Sequence, residues 1–195
     1  MLHPSAVRKG VTLRHLTLTA AFVLLGAVLH AQQAPPRDYD VKAAYLFNFG
    51  RFTTWPAAGA GGDGAVFGVC VLGRDPFGAA LDAMVTGEMI DGKRVTVRRI
   101  ARAQDTDSCR IVFVSASEDT QLTQILQSLV GSRILTVSDL PQFVERGGMI
   151  QFVSDGKKIR FTVNVPAATQ AGLTLSSELL RVAAAVRANP KPGGA

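Results

Sequence analysis

The chain has 195 residues, 47% of them hydrophobic and 18% charged, with a formal charge of +6 at pH 7; this composition suits one globular domain with a sizeable core. All three histidines, His3, His15 and His30, and the basic residues Arg8, Lys9 and Arg14 fall within positions 1–31, so loss of those positions leaves a charge of +3 and no imidazole. That excludes a Ser/His/Asp triad, a Cys/His pair and a His-ligated metal, and it removes the main support for nucleic-acid binding through a basic surface.

Positions 1–31 read as a secretory signal peptide: a basic start with no acidic residue, then Leu16 to Leu29 almost without polarity up to Ala31. The apolar run is shorter than the roughly 20 residues that cross a bilayer. Cleavage is expected near Ala31, leaving a linker over 32–38, one domain over 39–188 and a tail over 189–195. The compartment is then oxidising, and the only cysteines, Cys70 and Cys109, are an even pair of the kind that closes as a disulfide in exported chains.

From Asp38 the spacing is helical, with Val41, Ala44, Tyr45, Asn48, Phe49 and Phe52 on one side and Trp55-Pro56 as the stop. Leu46 and Phe47 point off that stripe, so a second face is covered by a partner, by another element, or by a wide core contact. Arg51 and Trp55 pair a cation with a large aromatic, as interfaces favour; a lid on the core is the alternative for Trp55. Ala57 to Gly64 reads as a loop.

Ala65 to Leu72 is a continuous apolar run ending at Gly73, the pattern of a strand buried on both faces. Gly73-Arg74-Asp75-Pro76-Phe77-Gly78 then joins it to a short helix over Pro76–Val85. Open α/β sheets bind ligands at such strand ends, so Arg74 is either a ligand or partner contact or part of a structural turn. The loop does not match a dinucleotide fingerprint, and Gly92-Lys93-Arg94 does not match a P-loop. Lys93–Ile100 is a more exposed strand; its basic residues with Arg102 read as a solvated face. Cys109–Ser115 is a second buried strand, Glu118–Leu129 an amphipathic helix, and Arg133–Ser138 a third buried strand. Asp139 follows as a turn cap before Pro141 or, alternatively, as a general base or partner to a ligand amine.

A short helical turn ends at Gly147-Gly148. Met149–Val153 and Lys158–Val163 are strands joined through Asp155-Gly156, a strong hairpin signal. Leu175–Arg187 shows Leu175, Leu179, Val182 and Val186 on one helical stripe, with Thr174 or Ser176 as its cap. The expected fold is one three-layer α/β domain, a mostly parallel sheet of about six strands with about five helices and a late antiparallel hairpin. Level parallel strands would leave Cys70 and Cys109 about three residues, roughly 10 Å, out of step. The pair therefore requires a stagger, or Cys109 bending back from the loop before its strand.

These segments also resemble a known family in combination. Lys42-Ala43-Ala44-Tyr45-Leu46-Phe47-Asn48-Phe49-Gly50-Arg51-Phe52-Thr53-Thr54-Trp55-Pro56 is similar to the opening helix of the YfiR family of periplasmic proteins. Cys70 to Gly78, Cys109 to Ser115, Leu135 to Asp139, Gly147 to Ile150, and Phe161 to Asn164 with Leu173 to Leu180 resemble it in the same order, over about residues 39–187. The resemblance implies a regulator that is not an enzyme; no cofactor or metal is expected. It would bind the periplasmic sensor domain of an inner-membrane diguanylate cyclase, YfiN, and hold it inactive, lowering cyclic di-GMP and biofilm formation. It also implies a homodimer. Some members carry a second cysteine pair late in the chain and this sequence has none, so a redox switch built on that pair is not implied. Candidate partner or ligand contacts are Phe47, Arg51, Trp55, Arg74 and Asp139. A periplasmic small-ligand-binding protein, using the strand-end edge near Arg74 and Asp139, is the alternative.

Overall fold

The computed structural model describes residues 37–56 and 66–188. The expected export signal, its cleavage point, most of the linker, the loop from Ala57 and the tail lie outside them.

Helix α1 spans Arg37–Arg51, with Asp38 and Asp40 in its first turn and Arg51 in its last, charges that complement the helix dipole. Strand β1 (Thr53–Thr54) follows and pairs antiparallel with β9 (Thr174–Leu175). The main sheet contains β2 (Val66–Leu72), β3 (Met89–Ile90), β4 (Lys93–Ile100), β5 (Cys109–Val114), β6 (Leu135–Ser138), β7 (Ile150–Asp155), β8 (Lys158–Asn164) and β10 (Ala185–Arg187). Its spatial order is β10-β8-β7-β6-β5-β2-β4-β3. Helices α2 (Ala79–Val85), α3 (Leu122–Ser128), α4 (Val165–Gln170) and α5 (Ser177–Val182) complete the described elements, with 3₁₀ turns over Ala103–Asp105 and Ala116–Gln121.

The α/β class stands, but the main sheet has eight strands rather than six and is mixed. Pairs from β4 through β7 are parallel, β3–β4 and β7–β8 are antiparallel, and β10 runs parallel to β8. The expected helix over Leu175–Arg187 is corrected: Ser176 caps a helix that ends at Val182, and Ala183 is already extended. Ala184 N–H donates to the Phe161 carbonyl at 2.8 Å, and Ala185–Arg187 add a strand beside β8. Pairing with a strand edge overrides the helical spacing of Val182 and Val186.

Two cores lie on opposite faces. Phe67, Val69 and Val71 of β2 point toward α1 and α2, with Phe49, Phe77, Phe113, Phe152 and Phe161. Cys70 and Leu72 alternate to the other face, against Leu122 and Ile125 of α3 with Leu140 and Phe143. The buried face of α1 is turned from the expected one. Ala43, Leu46, Phe47 and Phe49 are buried, whereas Val41 and Phe52 are 44% and 40% exposed. Gly50 lets α1 approach the sheet, since a β-carbon there would come within 2.7 Å of the Ile90 side chain.

The disulfide joins Cys70 to Cys109 with a Cα–Cα distance of 5.8 Å. The strands end level, Leu72 opposite Val114, and the extra residue is taken up where Gly68 faces Cys109 and Val69 faces Ile111. A β-carbon at Gly68 would collide with the Ser108 carbonyl, so this close approach requires glycine.

Candidate functional site

The parallel strands β2, β4, β5 and β6 deliver their carboxyl ends to one edge of the sheet. From β2 the chain passes to α2 on one face, and from β5 to α3 on the other. Such a divergence opens a crevice between neighbouring strand ends. Here two loops close it: the Ser115 hydroxyl donates to the Arg74 carbonyl at 2.6 Å, and Arg74 N–H donates to the Ser117 hydroxyl at 3.0 Å. Gly73 has φ 88°, and a β-carbon there would run into Ser117 and Glu118. The Arg74 side chain is exposed and has no hydrogen-bond or ion-pair partner among the described residues. A cavity of about 150 Å³, bounded by Leu72, Arg102, Glu118, Gln121 and Gln124, opens over the end of β2.

The basic residues Arg94, Arg98, Arg99 and Arg102 are exposed, as expected of a solvated face, and three of them hold polar partners. Arg99 donates to Asp75 at 2.9 Å, to Asp82 and to the Gly78 carbonyl, clamping the start of α2. Hydrogen bonding from Arg99 lowers the Asp82 carboxyl below its ordinary pKa. Arg102 pairs with Asp105, and Arg98 donates to the Ser108 hydroxyl.

Asp139 follows the end of β6 at the same edge. The turn is capped by Ser138, not by Asp139: the Ser138 hydroxyl accepts from Leu140 N–H at 3.0 Å and donates to the Val114 carbonyl at 2.7 Å. Asp139 instead reaches α1, where its Oδ2 accepts from Tyr39 OH at 2.8 Å and from Lys42 Nζ at 2.6 Å. Both side chains of the ion pair are mostly covered, at 11% and 14% exposure. Lys42 Nζ lies 4.1 Å from the centre of the Tyr39 ring, a cation–π contact that helps a lysine stay under cover. Burial pushes the Tyr39 hydroxyl pKa up, and the bonded Asp139 carboxylate adds to that. A cavity of about 330 Å³ adjoins the pair, lined by Lys42, Asp139, Pro141, Phe152, Val153 and Ser154.

The candidate residues therefore do not form one site. Arg74 and Asp139 share the carboxyl-end edge, two strand spacings or roughly 10 Å apart across β5. Arg51 and Trp55 lie at the other end of α1. Phe47 is 7% exposed and packs in the core, with the Arg51 guanidinium 5.9 Å from its ring. Trp55 packs edge-on against Phe67 at 5.2 Å and donates from Nε1 to the Arg133 carbonyl at 2.9 Å, anchoring the chain after α1 to the segment before β6. The half-exposed stripe of α1, with Tyr45 and Phe52, forms an apolar groove of about 300 Å³ with Leu179 and Val182 of α5. Tyr39 and Lys42 escaped the sequence reading as site residues. The available signal was a lysine on a helix face otherwise filled by Ala43, Leu46 and Phe47.

Among the described residues no group of three His, Cys, Asp or Glu could hold a metal, and no helix is long and apolar enough to cross a membrane. Two solved structures are similar over 63% of this chain: a conserved domain protein from Vibrio cholerae, at 12% identity and TM-score 0.47, and the ABC domain in complex with L-Trp from Streptococcus pneumoniae, at 14% and 0.46. This chain covers 55% of each, about half their length, and at these scores neither bears on function. The profile of the YfiR/HmsC-like family, DUF4154, matches residues 39–184, from the first turn of α1 to the residue before β10. The chain belongs to the YfiR/HmsC-like family.

Proposed function

We propose that the protein is a periplasmic regulator that binds the periplasmic sensor domain of an inner-membrane signalling enzyme, a diguanylate cyclase of the YfiN type, and holds it inactive. Cyclic di-GMP and biofilm formation fall as a result. The observation that carries this reading is the family match across nearly every described element. Asp139 supports a role without catalysis, because its carboxylate already engages Lys42 and Tyr39 rather than facing a substrate alone. Arg51 and Arg74, both exposed, and Asp139 are the proposed contact residues, and the working unit is a homodimer. The test is capture from detergent-solubilised inner membranes with the exported protein. Recovery of a membrane cyclase supports the reading; capture of membrane proteins that include no signalling enzyme contradicts it.

A second reading, a periplasmic small-ligand-binding protein, is favoured by one observation. Arg74, exposed and without a side-chain partner among the described residues, follows the same strand end whose Leu72 lines the cavity. A transporter or receptor recovered in the same capture would favour it.

A further inference from the structure

The sheet contains a step. β6 stops at Ser138, opposite Gln151, whereas β7 runs on through Phe152, Val153, Ser154 and Asp155. Its far side is paired with β8 throughout, from Ile150↔Val163 to Asp155↔Lys158. The hairpin loop is the two residues Gly156 and Lys157, with φ 59° at Gly156, and a loop of this length closes on a hydrogen-bonded pair. Because an antiparallel ladder alternates, residues 151, 153 and 155 direct their N–H and C=O groups to β8. Phe152 and Ser154 direct theirs toward the line of β6. Beyond Ser138 no described strand occupies that line, so the Phe152 carbonyl and both backbone groups of Ser154 face open space.

The 330 Å³ cavity beside Lys42 and Asp139 lies in this step. Tyr39 and Lys42 both bond Oδ2 of Asp139, so Oδ1 of this cavity-lining residue has no hydrogen-bond donor among the described residues. An exposed row of backbone donors and acceptors accepts another strand, and a carboxylate oxygen there selects for a cation.

We propose that the step between β6 and β7 receives an extended peptide segment of a protein partner. The segment adds as a strand beside Phe152–Ser154 and presents a basic side chain to Asp139 Oδ1. This rests on the regulator reading for the partner's identity, not for the step itself.

The test is selection from a phage-displayed random heptapeptide library on the wild-type protein, with Ser154→Pro as counter-target. Proline at 154 removes the N–H facing the step and leaves the ladder to β8 intact. Circular dichroism and melting of the variant confirm its fold. The expected peptides lack central proline, carry Lys or Arg, and bind Ser154→Pro and Asp139→Asn at least tenfold more weakly than wild type. By NMR they shift and protect the Ser154 amide of the wild-type protein, a readout independent of either variant. Equal binding to Ser154→Pro, shifts confined to other surfaces, or a Ser154 amide already protected without peptide would each overturn the inference. A cyclase captured equally by wild type and Ser154→Pro refutes the step while leaving the regulator reading intact. Peptides bound at the step with no cyclase captured support the step while removing that reading.

Discussion

The centre of the sheet and its outer flank are built on different terms. β2 is registered with β4 over seven residue pairs, from Val66↔Arg94 to Leu72↔Ile100, and is cross-linked to β5 by the disulfide. β7 is registered with β6 over only two, Val137↔Ile150 and Ser138↔Gln151. The junction there is reinforced by side chains: Asn164 donates to the Val144 carbonyl at 3.0 Å, and α1 reaches across with Tyr39 and Lys42 to Asp139. Covalent closure and long parallel ladders hold the centre. The flank shares the main core through Ile150, Phe152 and Phe161, but its ladder to the centre is short, and polar contacts supplement it beside the step.

The largest expected effect comes from opening the centre. A cross-link spanning 39 residues stabilises by about 4 kcal/mol on the chain-entropy account. Cys70→Ser, Cys109→Ser or reduction should therefore lower the melting temperature by several degrees, and the two variants should accumulate poorly. Unchanged melting after complete reduction would show that the centre does not need its cross-link.

Next is the junction. Asp139→Ala leaves Lys42 under cover with no carboxylate, and removal of one partner from a buried pair costs about 3 kcal/mol. Denaturant unfolding of Asp139→Ala, Lys42→Met and the double variant measures this, and the double should be less destabilised than the sum of the singles. Strict additivity would mean that the pair does not tie α1 to the flank.

Smaller effects sharpen the contrast. Trp55→Phe keeps the packing on Phe67 but loses the bond to the Arg133 carbonyl, a cost of about 1 kcal/mol in a denaturant midpoint. Tyr39 supplies a pH signature. Its hydroxyl pKa is raised above the ordinary 10.0 in the folded protein, so the unfolded chain ionises first as alkalinity increases. Its contribution is complete below pH 10 and is lost as pH rises above that value. Thermal melts of wild type and Tyr39→Phe across that range should show a steeper alkaline decline for wild type.

The same contrast governs what was legible in the sequence. Apolar runs such as Val69 to Leu72 and Ile111 to Val114 announce strands covered on both faces, and the two cysteines announce their bond. The flank carries weaker signals. Asn164 followed by Pro166 marks the start of α4, with Asn164 capping Ala167 N–H, yet a single short turn lacks the periodicity that draws attention. Val182 and Val186 share a helical spacing, but β10 exists because β8 has an open edge, a tertiary fact absent from local pattern. The face of α1 was misjudged for a related reason. Lys42 is covered because its partner, Asp139, lies 97 positions away, a contact that local spacing does not reveal. Nothing in local spacing indicates that β7 outruns β6.

The most direct measurement is cyclic di-GMP in cells of the native host with the gene deleted and then restored with the exported wild-type protein. The account predicts a rise on deletion, a return on restoration, and loss of both effects when the membrane cyclase captured by the protein is also deleted. Cyclic di-GMP unchanged by deletion, with the protein shown to be present in the periplasm beforehand, would contradict it.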